Sequence, residues 1–132
     1  MPFDNAICEK LGIKYWLGGT AFKIYRITST NPDAKEFIDT LADRSSFRKA
    51  LALLETVKDY KAILMNPEKS NKLGDGLFEL KPTDQVRLPY FFDKDWSLII
   101  THGFIKQGNK TPPAEIKKAK KIRDEYFQKK GE

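Results

Sequence analysis

The chain has 132 residues, of which 40% are hydrophobic and 12% aromatic, so it can bury the core of one compact domain. A single cysteine, Cys8, excludes an internal disulfide and a thiol-based zinc site, and no apolar run approaches the roughly 20 residues of a membrane span. Five of the six net positive charges fall in residues 61–132, which indicates either a polyanionic partner or a lysine-rich surface that favours solubility.

Residues 1–20 are predicted to form an N-terminal extension to a single domain that occupies residues 21–132. Asp4 is placed to cap a short helix that reaches Leu11, and Gly12 follows where such a helix would end. The first residues have neither the basic start nor the apolar stretch of a secretory signal. We therefore expect a cytoplasmic protein with no membrane partner.

The first part of the domain predicts one strand and a helical hairpin. Residues 22–28 alternate as a strand does, and Asn31-Pro32-Asp33 supplies a cap, a proline and an acidic residue for the start of a helix. Ser45-Ser46 interrupts this helix and caps a second one, whose apolar stripe runs to about Tyr60.

From Leu77 onward the hydrophobic period changes to two. Residues 77–81, 86–92 and 98–106 are three candidate strands with short, turn-rich connections, which is typical of an antiparallel meander. Thr111-Pro112-Pro113 then opens a C-terminal helix. The predicted order is β-α-α-β-β-β-α, an α+β domain whose helices pack on one face of an antiparallel sheet.

Strand periodicity places three charged residues on a shared face. Glu79 and Lys81 point to one side of their strand, and Arg87 lies on the polar side of the next. If the helices cover the apolar face, these side chains converge on the open face. Such a group can grip a phosphodiester and stabilise the charge that develops on it during transfer. The alternative is a surface ion-pair cluster, which contributes little stability.

His102 is the single histidine of the sequence, and its ordinary pKa near neutrality suits proton transfer. The alternative is a hydrogen-bonded core residue within an apolar strand. The lysines of the last helix are interpreted either as a solvated face or as an RNA contact. No set of metal ligands is evident, and we expect neither a metal nor another cofactor.

Two stretches of the sequence resemble a known family. Residues 72–81 (KLGDGLFELK) followed by residues 86–92 (VRLPYFF) resemble the central strands of RelE/HigB-type toxins. Residues 102–112 (HGFIKQGNKTP) are similar to the signature that follows in the phage-derived HigB-like branch of the RelE/ParE superfamily, where it leads into a C-terminal helix. The resemblance is specific over residues 72–119 and extends to residues 22–71 only in the order of elements.

This resemblance implies a RelE-like fold and the toxin of a type II toxin–antitoxin pair. Such toxins are small basic endoribonucleases that cut mRNA, usually on the ribosome, and a cognate antitoxin silences them. In the HigB-like branch the antitoxin is typically a helix-turn-helix protein. Cleavage is expected to proceed by attack of the RNA 2′-OH, without a metal.

The resemblance also assigns roles to particular residues. Arg87 matches the strand arginine that contacts the scissile phosphate, and Lys106 matches a basic position that would help to stabilise the phosphorane. The remaining assignments are Lys81 for orienting RNA, Glu79 or His102 for proton transfer, and Lys72, Lys110 and Lys117 for RNA binding.

Two prolines depart from the family pattern, and two other functions stay open. Pro82 and Pro89 lie where strands usually have residues that donate to the ladder, so Pro89 could bulge the strand and shift Arg87. One alternative function is that of ParE-like relatives, which bind DNA gyrase and do not cut RNA. Another is a phage-derived protein that has kept the fold and lost toxicity.

Overall fold

The computed structural model describes residues 3–131 and shows an α+β fold in which a mixed seven-stranded sheet carries helices on both faces. The predicted α+β class is confirmed. The helices are α1 (Asn5–Leu11), α2 (Ala34–Asp39), α3 (Arg44–Asp59) and α4 (Pro113–Lys130), with a 3₁₀ helix at Lys61–Met65. The strands are β1 (Ile13–Gly18), β2 (Lys23–Ile27), β3 (Ser70–Gly74), β4 (Leu77–Leu80), β5 (Val86–Asp93), β6 (Ser97–Ile100) and β7 (Phe104–Ile105).

All the strand pairings of the sheet are antiparallel except the one between β2 and β6. Its order is β1-β2-β6-β5-β4-β3, and β7 pairs with the start of β5. Strands β3 to β6 form the antiparallel meander, whereas β2 runs parallel to β6, with Ile24 opposite Leu98. The prediction of an antiparallel sheet is therefore wrong for the pairing of β2 with β6, because alternation within a strand does not reveal the direction of a partner far along the chain.

The two edge strands, β1 and β3, were not predicted. Strand β1 pairs antiparallel with β2, so residues 13–18 continue the sheet. Strand β3 pairs with β4 at the opposite edge. The domain boundary at residue 20 stays a prediction, although β1 before it and β2 after it share one sheet.

The predicted strand at residues 98–106 is divided into β6 and β7. The chain leaves the ladder between them at residues 101–103. The carbonyl oxygen of Pro89 in β5 accepts a hydrogen bond from the Thr101 amide at 2.9 Å, so this carbonyl points towards residues 101–103. In a strand the nitrogen of a residue points to the same side as its carbonyl, so the nitrogen of Pro89 points there too. Pro89, which has no N–H, thus faces the interruption, and β5 continues through it without a bulge.

Side-chain caps fix the starts of the first three helices. Asp4 accepts a hydrogen bond from the Ile7 amide, and Gly12 ends α1 at φ 70°, as the sequence predicts. The cap of α2 is Asp33, which replaces the predicted Asn31, and Asp43 caps α3 ahead of the predicted serines.

Helices cover both faces of the sheet, so the prediction of one covered face is wrong. Helices α2 and α3 pack on the face that presents Leu88 and Tyr90 of β5. The other face packs against α1 and α4 around Phe91, because β5 carries apolar side chains on both sides. No helix within residues 3–131 has the length and apolar character needed to cross a membrane.

A partly buried cluster joins the end of α4 to the end of β5. Asp93 accepts hydrogen bonds from the Tyr126 hydroxyl at 2.7 Å and from Lys130 Nζ at 2.6 and 2.7 Å. Burial acts to raise the pKa of Asp93, but the bonds from Lys130 and Tyr126 outweigh burial and lower it. Burial and the neighbouring Asp93 both raise the pKa of Tyr126. The cluster thus fixes the C-terminal end of α4 against the sheet.

Candidate active site

A cleft of about 380 Å³ opens beside the start of α4, and we name it the basic cleft. Strands β3, β4 and β5, the end of β7 and the loop before α4 supply its walls. Six of the eight predicted site residues line it: Lys72, Glu79, Lys81, Arg87, Lys106 and Lys110. The structure therefore gathers most of the predicted site in one place.

The register of the sheet explains why Glu79 and Arg87 meet. Glu79 in β4 lies opposite Pro89 in β5, and Arg87 is two residues from Pro89 on the same face. Asn71 of β3 lies opposite Glu79 on its other side. Three neighbouring strands thus direct polar side chains to the same end of the sheet.

The predicted exposure of this charged group is wrong for its two central members. Glu79 and Arg87 are each 4% exposed, and 3.8 Å separates Arg87 Nε from Glu79 Oε1. The pair is buried because the loop at residues 82–85 and Thr111 close over it. It is therefore not a surface ion-pair cluster of the kind considered as the alternative.

The loop that follows β4 holds the Arg87 guanidinium. The Thr83 hydroxyl accepts a hydrogen bond from the Val86 amide, which stabilises a turn. In this turn the Thr83 carbonyl accepts a hydrogen bond from Arg87 Nη1 at 2.7 Å. Arg87 Nη1 also donates to the Val86 carbonyl at 3.0 Å. Buried Nε has no hydrogen-bond partner among residues 3–131. Burial lowers the pKa of Arg87, and the charges of Glu79 and Asp84 oppose this shift.

Two residues that sequence reasoning missed hold the Glu79 carboxylate. Thr111 Oγ1 donates to Oε1 at 2.7 Å, and Asn71 Nδ2 donates to Oε2 at 3.0 Å. The sequence signal for Thr111 was its position just before Pro112-Pro113, where α4 begins. Asn71 gave no such signal, because β3 itself was not predicted.

Four lysines surround the buried pair. Lys81 Nζ donates to the Pro67 carbonyl at 2.9 Å, and Lys106 Nζ lies 3.4 Å from the Asn109 carbonyl. Lys72 and Lys110 are exposed. In the part of the chain that the structure describes, none of the four ammonium groups is in a salt bridge with a carboxylate. The cleft therefore presents positive charge that an anionic ligand can neutralise.

The structure does not bring the other two predicted residues, His102 and Lys117, to the cleft. His102 is 1% exposed, and its ring nitrogens lie 2.9 Å from Thr101 Oγ1 and 3.0 Å from Glu115 Oε1. Burial lowers the pKa of His102 while the bond to Glu115 opposes the shift. These contacts favour the hydrogen-bonded core alternative for His102. Lys117 is exposed on α4 outside the cleft.

The geometry suits the binding of a phosphate diester. A guanidinium fixed by two backbone carbonyls lies beside a carboxylate, with ammonium groups at the rim. Cations preorganised in this way stabilise charge that develops on a phosphorus centre, and the carboxylate can move a proton. Residues 3–131 contain no group of three His, Cys, Asp or Glu side chains that could hold a metal ion.

A family model described as phage-derived protein Gp49-like matches residues 36–124, about two thirds of the chain. The chain belongs to this family. The Gp49-like family is part of the RelE-like group of toxins, so a toxin-like protein is the broad assignment. The matched range includes every residue of the basic cleft and leaves out α1, β1 and β2. No curated protein matches the chain.

Proposed function

We propose that this Gp49-like protein is the toxin of a type II toxin–antitoxin pair and an endoribonuclease that cleaves mRNA, with the ribosome as the place of cleavage. The observation that carries the proposal is the basic cleft, in which four lysines without salt bridges surround the buried Glu79–Arg87 pair. An RNA strand supplies both the anionic phosphate and the 2′-OH that such a cleft needs.

The proposed reaction is an internal transfer at one phosphate. The 2′-oxygen forms a bond to phosphorus, and the bond from phosphorus to the 5′-oxygen breaks, which leaves a 2′,3′-cyclic phosphate and a 5′-hydroxyl. Arg87 and Lys106 stabilise the charge on the phosphorane, and Lys81 orients the strand. Glu79 accepts the proton of the 2′-OH, and the leaving oxygen gains one from solvent or a cleft ammonium.

The partners follow from this proposal. Lys72 and Lys110 extend the positive charge of the cleft towards mRNA, and Lys117 adds to it on the outer side of α4. The cognate antitoxin is a helix-turn-helix protein, and both proteins act in the cytoplasm.

The decisive experiment uses a high concentration of purified protein and, in place of ribosomes, which themselves need magnesium, a naked RNA oligonucleotide in EDTA. We expect cleavage to persist, the products to end in a 2′,3′-cyclic or 3′-phosphate, and a 2′-deoxy nucleotide at the cut site to block it. The Lys106→Ala variant should lose most activity, whereas Lys14→Ala, on the strand β1 at the far edge of the sheet, should keep it.

Two outcomes would contradict the proposal. One is cleavage of the 2′-deoxy substrate, and the other is a strict need for added metal on naked RNA. If RNA stays intact while DNA supercoiling by gyrase is inhibited, the ParE-like alternative is favoured.

A further inference from the structure

Beside the basic cleft lies a larger groove of about 1320 Å³, which we name the outer groove. Lys81, Arg87, Lys106 and Asn109 line both spaces, so the two adjoin at these side chains. A strand whose phosphate lies at Arg87 therefore has room on both sides of that phosphate.

One wall of the outer groove is a face of α3. Lys49, Leu53 and Thr56 follow one another at helical spacing and line the groove together. The opposite wall consists of two loops. The loop at residues 82–85 holds Arg87, and the loop at residues 107–109 comes after β7. The helical hairpin of α2 and α3 thus approaches the proposed site from the side opposite to α4.

The outer groove adds two cations to those of the basic cleft. They are Lys49 on α3 and Lys69 just before β3, and neither makes a salt bridge among residues 3–131. Three carboxylates also line the groove, and one of them, Asp43, is engaged as the cap of α3 by the Ser45 amide and the Ser46 hydroxyl. Positive charge is therefore present but sparser than in the basic cleft, so few phosphates can be bound here.

The chemistry of the lining indicates which part of a nucleic acid would be held. Its apolar members are Ala52, Leu53, Ile63 and Pro82, and no aromatic ring among the described residues lines it. Bases bound without sequence readout usually stack on aromatic side chains, whereas lysines bind phosphates. The groove is thus suited to the sugar–phosphate backbone.

We infer that the outer groove binds the RNA backbone beside the scissile phosphate, with Lys49 and Lys69 each neutralising one phosphate, independently of base sequence. This inference rests on the proposed function, since it takes RNA as the ligand of Arg87. It gives the helical hairpin a part in substrate binding.

The test measures binding of a fully 2′-O-methylated 12-nucleotide RNA, which lacks the nucleophile and cannot be cut. Fluorescence anisotropy over a potassium chloride series gives the slope of log affinity against log salt. Lys49→Gln and Lys69→Gln should each make the slope shallower by about 0.7, the value for one phosphate on a single strand. Lys14→Gln should leave the slope unchanged. A second RNA of different sequence should give the same losses.

A dinucleotide with a single phosphate, used as a competitor, separates the two spaces. Lys106→Gln should weaken both the dinucleotide and the 12-nucleotide RNA, whereas Lys49→Gln and Lys69→Gln should weaken the long RNA alone. If Lys106→Gln makes the salt slope shallower but the Lys49 and Lys69 variants leave it unchanged, the inference is wrong and the proposed function stands. If the unaltered protein binds no RNA, both are wrong.

Discussion

Two acid–base pairs, one buried and one partly buried, involve residues on the same face of β5 at its opposite ends, and they differ in how completely their charges are paired. At one end Asp93 accepts hydrogen bonds from Lys130 Nζ at 2.6 and 2.7 Å and from the Tyr126 hydroxyl at 2.7 Å. At the other end 3.8 Å separates Arg87 Nε from Glu79, and buried Nε has no hydrogen-bond partner within residues 3–131.

The difference follows from where α4 covers the sheet. A buried charge is costly unless hydrogen bonds and an opposite charge compensate it. Helix α4 supplies both to Asp93, whereas the Thr83 and Val86 carbonyls bind Nη1 of Arg87 and leave its Nε without a partner among residues 3–131. Three hydrogen bonds complete the first pair, whereas the second keeps a guanidinium donor without a partner among residues 3–131.

The largest effect should come from Arg87→Ala. Removal of one partner leaves Glu79 buried without its counter-charge, so the free energy of unfolding should fall by about 3–5 kcal/mol. RNA cleavage by the variant that remains folded should fall by about 10²–10³-fold, because a preorganised cation is lost from the phosphorane. Urea unfolding and initial cleavage rates measure the two losses.

Arg87→Lys is the matched control for this change. It keeps the charge but not the planar fork, so part of the stability should return without the activity. An Arg87→Ala protein that is as stable as the unaltered chain and cuts RNA normally would remove the basis of the comparison.

Asp93→Asn should have the next largest effect, on stability alone. The amide keeps the shape of the carboxylate but weakens the bonds from Lys130 and Tyr126, so the free energy of unfolding should fall by about 2–3 kcal/mol. Cleavage at a temperature where the variant is folded should be unchanged. Loss of activity in the folded variant would show that this pair is not purely structural.

Thr111→Val should have a smaller effect at the cleft end. It removes one hydrogen bond to Glu79 while Asn71 still holds the other carboxylate oxygen, so we expect a loss of about 1.5 kcal/mol. Cleavage should slow but persist, because Arg87 keeps its bonds to the backbone. Rates equal to those of the unaltered protein would argue against a role for an oriented Glu79.

The smallest effect should be a difference in pH dependence for His102→Gln. Burial lowers the pKa of His102 in the folded protein below its ordinary value of 6.5. As the pH falls through 6.5, the unfolded chain binds a proton before the folded chain does, so stability is lost. Urea unfolding at pH 7.5 and pH 5.5 should show a smaller loss in the variant. Equal losses would mean that His102 titrates alike in both states.

Periodicity in the sequence was enough to predict part of the fold. It predicts helices α3 and α4 and strands β4 and β5, since each has a stripe or a face of apolar residues to bury. Strand β3 was not predicted because Ser70–Gly74 contains one large apolar residue, Leu73, and so shows no alternating pattern. An edge strand of this kind forms through its hydrogen bonds to the neighbouring strand, here β4. The parallel pairing of β2 likewise depends on a distant segment.

The site divides in the same way. Parity within the predicted strands placed Glu79, Lys81 and Arg87 on one face, and the resemblance assigned roles to the other lysines. The burial of the pair could not be predicted, because its cover comes from the Thr83 carbonyl and from Thr111 at the start of α4. Local patterns fix the side from which a residue leaves its strand, whereas burial depends on segments that fold back from elsewhere.

The parallel pairing of β2 with β6 also bears on how the polypeptide folds as it is translated. Ile24 and Leu98 are both fully buried in one core, yet the whole chain between them must be synthesised before they can meet. Contacts between segments so distant in sequence carry a large loop-closure entropy and form slowly. Lys106 and Thr111, which complete the basic cleft, emerge later still. A nascent chain therefore exposes its helical hairpin well before it can assemble the cleft.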